Sequence, residues 1–139
     1  TKWFVGKGTV HWVPLHSRNG YVDFAQAFQG TPVHAKPLII ENCYGYAVCY
    51  ITLEKPFQGL MGIGSDDGYK VMMGEKLIAQ KIVYRSAGTD QEKYPVSIPA
   101  GTHRILVRVH NDINGHGFRL RFLKDDGTPF TDYSIRIVP

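Results

Sequence analysis

His103–Arg104–Ile105–Leu106–Val107–Arg108–Val109–His110 places Ile105, Val107 and Val109 on one side of an extended chain and Arg104, Leu106, Arg108 and His110 on the other. Successive side chains of a strand point to opposite faces, so this alternation predicts a strand with one buried and one wet face. Downstream the pattern recurs, with Phe118, Leu120 and Phe122 opposing Arg119 and Arg121. These two segments predict an antiparallel pair whose core is Ile105, Val107, Val109, Phe118, Leu120 and Phe122, with the four arginines on one outer face. Like charges placed directly across strands repel, so such a face invites acidic neighbours or an anionic ligand, or is simply solvated.

Upstream, Tyr44 to Leu53 sets Tyr44, Tyr46, Tyr50 and Thr52 against Ala47, Cys49, Ile51 and Leu53. Further strands are expected at Val10–Val13, Tyr21–Phe24, Leu38–Ile40, Leu60–Ile63, Tyr69–Met73, Leu77–Ala79, Tyr94–Ile98 and Ser134–Val138. Turn chemistry at Asn19–Gly20, Asp67–Gly68, Gly74–Glu75, Asn114–Gly115 and Asp126–Gly127 separates them. One helical turn fits Phe24–Phe28. Short strands at this spacing predict an all-β fold, an antiparallel two-sheet β-sandwich of jelly-roll type.

The 139 residues suit one domain, with 43% hydrophobic and 20% charged residues excluding a disordered chain or a coiled coil. Runs such as Pro37–Leu38–Ile39–Ile40 are far too short to cross a bilayer, so no membrane partner is expected. The formal net charge is +4 with no basic run, which gives no reason to expect nucleic acid. The chain starts at Thr1 without Met and reads as a processed chain or a piece of a larger protein. Cys43 and Cys49 lie six positions apart on one expected strand, about 20 Å, beyond disulfide reach. They share the parity of Ile51 and Leu53 and read as buried, unreactive thiols.

Gly64–Ser65–Asp66–Asp67–Gly68–Tyr69–Lys70–Val71, followed by Gly74–Glu75–Lys76, is a strand end, an acidic turn, a strand and a second tight turn. Adjacent Asp66 and Asp67 repel unless a cation, a donor or water compensates them, and oxygen-rich turns suit Ca²⁺. The alternative is that one Asp caps the turn while the other is solvated.

This segment resembles the "GSDDG-x-K-V-x-x-(N)GK" pattern of galactose-binding-like and PA14-like jelly-roll modules appended to secreted glycan-processing enzymes. The resemblance extends over Tyr21–Val22–Asp23–Phe24, Tyr44 to Ile51, Val83–Tyr84–Arg85, Pro95 to Gly101, Arg104 to Val109 and Gly117 to Phe122, departing from the pattern at Met72–Met73 and Gly74–Glu75. In PA14-like sugar binders an Asp–Asp pair joined by a cis peptide holds Ca²⁺, which holds sugar hydroxyls. The resemblance implies that role for Asp66 and Asp67 if their peptide is cis, and a secreted, cell-surface or periplasmic location.

The segment His110–Asn111–Asp112–Ile113–Asn114–Gly115–His116–Gly117 supplies donors and acceptors suited to sugar hydroxyls in Asn111, Asp112 and His116, with Tyr84 and Arg85 near by if the loops cluster. The alternative is a polar hairpin loop turned by Asn114–Gly115. Trp12, Tyr44 and Tyr84 are the aromatic candidates for stacking on a pyranose. No Gly-x-Ser-x-Gly elbow and no phosphate loop occur, and neighbouring carboxylates cannot flank a glycoside from two sides. The expected function is therefore a non-catalytic carbohydrate-binding module, binding polysaccharide or oligosaccharide and serving an attached catalytic domain. A structural accessory domain that binds no ligand is the alternative.

Overall fold

A computed structural model describes residues 3–5, 8–10, 12–17, 19–28 and 41–139. The strand expected at Leu38–Ile40 lies outside them. Twelve strands and one helical turn are described. Strands β1 (Trp3–Val5) and β2 (Gly8–Val10) form a separate antiparallel pair. The strand expected at Val10–Val13 is corrected: β2 ends at Val10 and residues 12–17 are irregular, Pro14 and the polar run after Leu15 offering no alternation to continue.

Strand β3 (Tyr21–Asp23) leads into α1 (Phe24–Phe28), the expected single turn. Then follow β4 (Cys43–Leu53), β5 (Phe57–Asp66), β6 (Tyr69–Met73), β7 (Lys76–Lys81), β8 (Glu92–Ile98), β9 (Gly101–Asn111), β10 (Gly117–Leu123), β11 (Pro129–Phe130) and β12 (Ser134–Arg136). One five-stranded sheet runs β12-β4-β9-β6-β7; the other runs β11-β10-β5-β8, with β3 also on β10. All pairings are antiparallel.

The sheets meet through the faces that alternation marked as apolar. Ile51, Leu53, Val71, Ile105, Val107 and Val109 come from one, Phe57, Met61, Ile63, Val96, Ile98, Phe118 and Phe122 from the other, all within a single buried cluster. The chain is an all-β sandwich. Each such side chain contributes about 1.5–3 kcal/mol on removal from water. Leu120 packs against the cluster without being fully buried.

Two expectations are corrected. β9 and β10 do not pair: β9 lies between β4 and β6, whereas β10 lies against β5. Residues 112–116 are thus an arch between sheets rather than a hairpin loop, and Arg104 and Arg108 stand on the opposite outer face of the sandwich from Arg119 and Arg121. Local alternation fixes which side of a strand is wet but not which sheet the strand joins. Cys43 and Cys49 form no disulfide with each other and are half-buried rather than fully enclosed; burial still pushes both thiols up, which keeps them protonated at neutral pH. No described helix is long and apolar enough to cross a membrane.

Candidate functional site

At one end of the sandwich the β5–β6 turn, the β9–β10 arch and the segment carrying Tyr84 and Arg85 converge. The turn is fastened to β9 through main-chain bonds: Asp67 N–H donates to the His110 carbonyl at 2.8 Å and His110 N–H to the Gly68 carbonyl at 2.7 Å. The Ser65 hydroxyl donates to the Asp67 carbonyl at 2.5 Å. The peptide joining Asp66 to Asp67 is cis, the linkage named by the resemblance.

The two carboxylates have different surroundings. Asp67 is buried, and each of its oxygens accepts a main-chain N–H, Oδ1 from Arg85 at 2.7 Å and Oδ2 from Asp112 at 2.9 Å. Asp66 is half-buried and no hydrogen-bond donor among the described residues reaches its carboxylate. Its pKa is pushed up to about 6, first by desolvation and then by the charge of Asp67. The arch comes close on the other side: a Cβ on Gly115 would lie 2.5 Å from Asp66 Oδ2, so only glycine leaves that oxygen its place.

Arg85 braces the pair. Its guanidinium forks onto Glu92 at 2.7 and 2.6 Å and Nε donates to the Ser65 carbonyl at 3.3 Å, while Lys81 also meets Glu92 at 2.7 Å. Hydrogen bonding from Arg85, opposed by burial and aided by Lys81, holds Glu92 down to about 2. The Tyr69 hydroxyl donates to Glu92 at 3.2 Å and shares a 2.6 Å hydrogen bond with Tyr94.

Above this base is an aromatic rim. Tyr84 is 66% exposed and meets the His110 ring edge-on at 6.3 Å; Tyr44, 56% exposed, lies 5.3 Å from the same ring. The structure thus brings Tyr44, Tyr84, Asp66, Asp67 and the main chain of Arg85 and Asp112 together. Asn111 and His116 belong to the same end but are enclosed, at 0% and 1% exposure, which withdraws both side chains from any surface a sugar would touch. His116 Nε2 donates to the Val109 carbonyl at 3.1 Å and its ring packs 4.8 Å from Phe24. Burial, the largest influence, lowers its pKa and keeps the ring neutral at neutral pH. Trp12 is 49% exposed in the irregular segment, and no described contact connects it to this rim.

Sequence reading passed over His110, Gly115 and Glu92. The parity that marked Tyr44 as outward also marked His110, since the two residues pair directly across β4 and β9. No local pattern signals the contacts of Gly115 or Glu92.

The donor set fits a hard cation. The pair supplies carboxylate oxygens, of which those of Asp67 are pre-set by main-chain donors and keep further lone pairs. No third His, Cys, Asp or Glu joins them in a metal-holding cluster among the described residues, so further oxygens would come from main-chain carbonyls, an amide side chain or water. The chain matches no family model, no curated protein and no solved structure among those compared.

Proposed function

We propose that this chain is a non-catalytic carbohydrate-binding module of a secreted glycan-processing protein, and that Asp66 and Asp67 hold a Ca²⁺ ion through which it binds sugar. The observation that carries this reading is the inequality of the two carboxylates. Asp67 is fixed by two main-chain donors, whereas Asp66 stands beside it with no donor among the described residues, so a cation is the partner that would relieve its repulsion. Bound there, Ca²⁺ would offer its remaining positions to paired sugar hydroxyls. Tyr84 and Tyr44 would lay a ring on the C–H face of the same sugar, and Arg85 and Asp112 would keep Asp67 in place through their main-chain N–H groups.

The test is retention of the isolated chain on a panel of immobilised neutral glycans, in Ca²⁺ and in chelator, alongside Asp66→Asn/Asp67→Asn. Retention that needs Ca²⁺ and is lost in the double variant is expected. If wild type retains no glycan under either condition, the reading fails and a ligand-free accessory domain takes its place.

A further inference from the structure

The sheet β12-β4-β9-β6-β7 contains no Asp or Glu in any of its five strands. On its outer face the register sets Lys70 directly beside Arg108, with Tyr46 on the other side of Arg108. In the next row Leu106 sits beside Met72, and beyond it Arg104 sits beside Tyr50. Tyr46, Lys70, Met72, Leu106 and Arg108 line a shallow concavity of about 160 Å³.

Directly opposed cations in a sheet destabilise it unless something neutralises them. Arg121 on the other sheet pairs with Asp90, and Lys81 at the far end of β7 shares Glu92 with Arg85. Lys70, Arg104 and Arg108 have no carboxylate partner among the described residues. Arg108 instead lies 4.7 Å over the Tyr44 ring, and Arg104 donates to the Gly74 carbonyl at 3.0 Å. Both arginines remain available to an anion.

We infer that this face binds a carboxylated, uronate-bearing polysaccharide, continuing the glycan path that starts at the Asp66–Asp67 rim. The inference rests on the glycan-binding reading above, because Tyr44 belongs both to the rim, through His110, and to this face, through Arg108. Arg104 and Arg108 are four residues apart on one strand, roughly 13 Å, with an apolar row between them, so the face offers separated cationic points rather than the clustered basic stripe that marks a nucleic-acid binder. Between the charged rows, Leu106 and Met72 offer an apolar bed for the C–H faces of sugars, and guanidinium groups pair with carboxylates through a two-donor fork.

Affinity electrophoresis through gels containing polygalacturonate, neutral galactan, a sulfated glycan or single-stranded DNA tests this, run in chelator so that the aspartate pair contributes nothing. Wild type should be retarded most by polygalacturonate, less as salt rises, and Lys70→Gln/Arg108→Gln should bind about tenfold more weakly. The same variant should keep any Ca²⁺-dependent retention on neutral glycans, which shows that it is folded. Unretarded wild type, an unaffected variant, or stronger retardation by sulfated glycan or DNA overturns the inference. Polyuronate binding without Ca²⁺-dependent neutral-glycan retention would instead uphold this face and sink the proposal for the aspartate pair.

Discussion

The main-chain N–H of Arg85 donates to Asp67 Oδ1 at 2.7 Å, so the residue whose guanidinium grips Glu92 also holds one carboxylate of the candidate site. A side-chain ion pair on the wall of the sandwich thereby fixes the position of a main-chain donor at its rim.

Glu92→Gln should therefore act on both. Replacing the charge-assisted fork by weaker contacts and leaving Arg85 partly buried without its counter-ion should destabilise the fold by about 1–3 kcal/mol at neutral pH. Glu92 is depressed to about 2 from 4.5, so its contribution is fully present above about 4.5 and fades as pH falls toward 2. Urea unfolding of wild type and variant should show a gap at pH 7 that narrows below pH 4. A gap independent of pH would contradict the ion-pair account.

Asp66 has the opposite sign. Its folded pKa is raised to about 6 from 3.8, so the folded state holds its proton more tightly than the unfolded chain does. Stability from this group falls as pH rises from about 4 to about 6 and is level above that. In chelator, Asp66→Asn should melt above wild type at pH 7 and together with it near pH 3.5. A variant that melts below wild type at pH 7 would show that Asp66 makes a stabilising contact when ionised.

Gly115→Ala tests the closeness of the arch. The added Cβ would meet Asp66 Oδ2 at 2.5 Å, and the carboxylate must turn away or the arch must lift. Gly115 is exposed and has no core contact to lose, so the melting temperature in chelator should stay close to wild type. Stabilisation by Ca²⁺ should be largely lost. Full Ca²⁺ stabilisation in the variant would mean that Asp66 Oδ2 is not needed.

Much of the fold was legible because half-buried strands write their own period. Alternation found β4, β9 and β10 to within two residues at each end, and the strand expected between turns at Tyr69–Met73 and the single helical turn at Phe24–Phe28 lie at their observed bounds. What it could not give is partnership. The polar segment after His110 looked like a hairpin loop because Asn114–Gly115 is a hairpin signal, yet β9 and β10 belong to different sheets. That difference puts Arg108 beside Lys70 rather than beside Arg119 or Arg121. Tyr44, Tyr84, Asp66 and Asp67 were visible as residue types in turn or outward positions. Asn111 and His116 were visible too; the burial of Asn111 continues the inward parity of Val107 and Val109 to the end of β9, whereas that of His116 follows from the arch turning inward over Phe24, a tertiary event without a local signal.

The most direct test of the aspartate pair is a thermal melt of the chain at pH 7.5 in excess Ca²⁺ and again in chelator, with Asp66→Asn/Asp67→Asn as the reference. A ligand that prefers the native state stabilises it by mass action, by about 2.7 kcal/mol at one hundred times its Kd. Wild type should melt several degrees higher in Ca²⁺, and the double variant should give one curve in both conditions. Superimposable wild-type curves would contradict the account, leaving the two carboxylates as the polar ends of a structural turn.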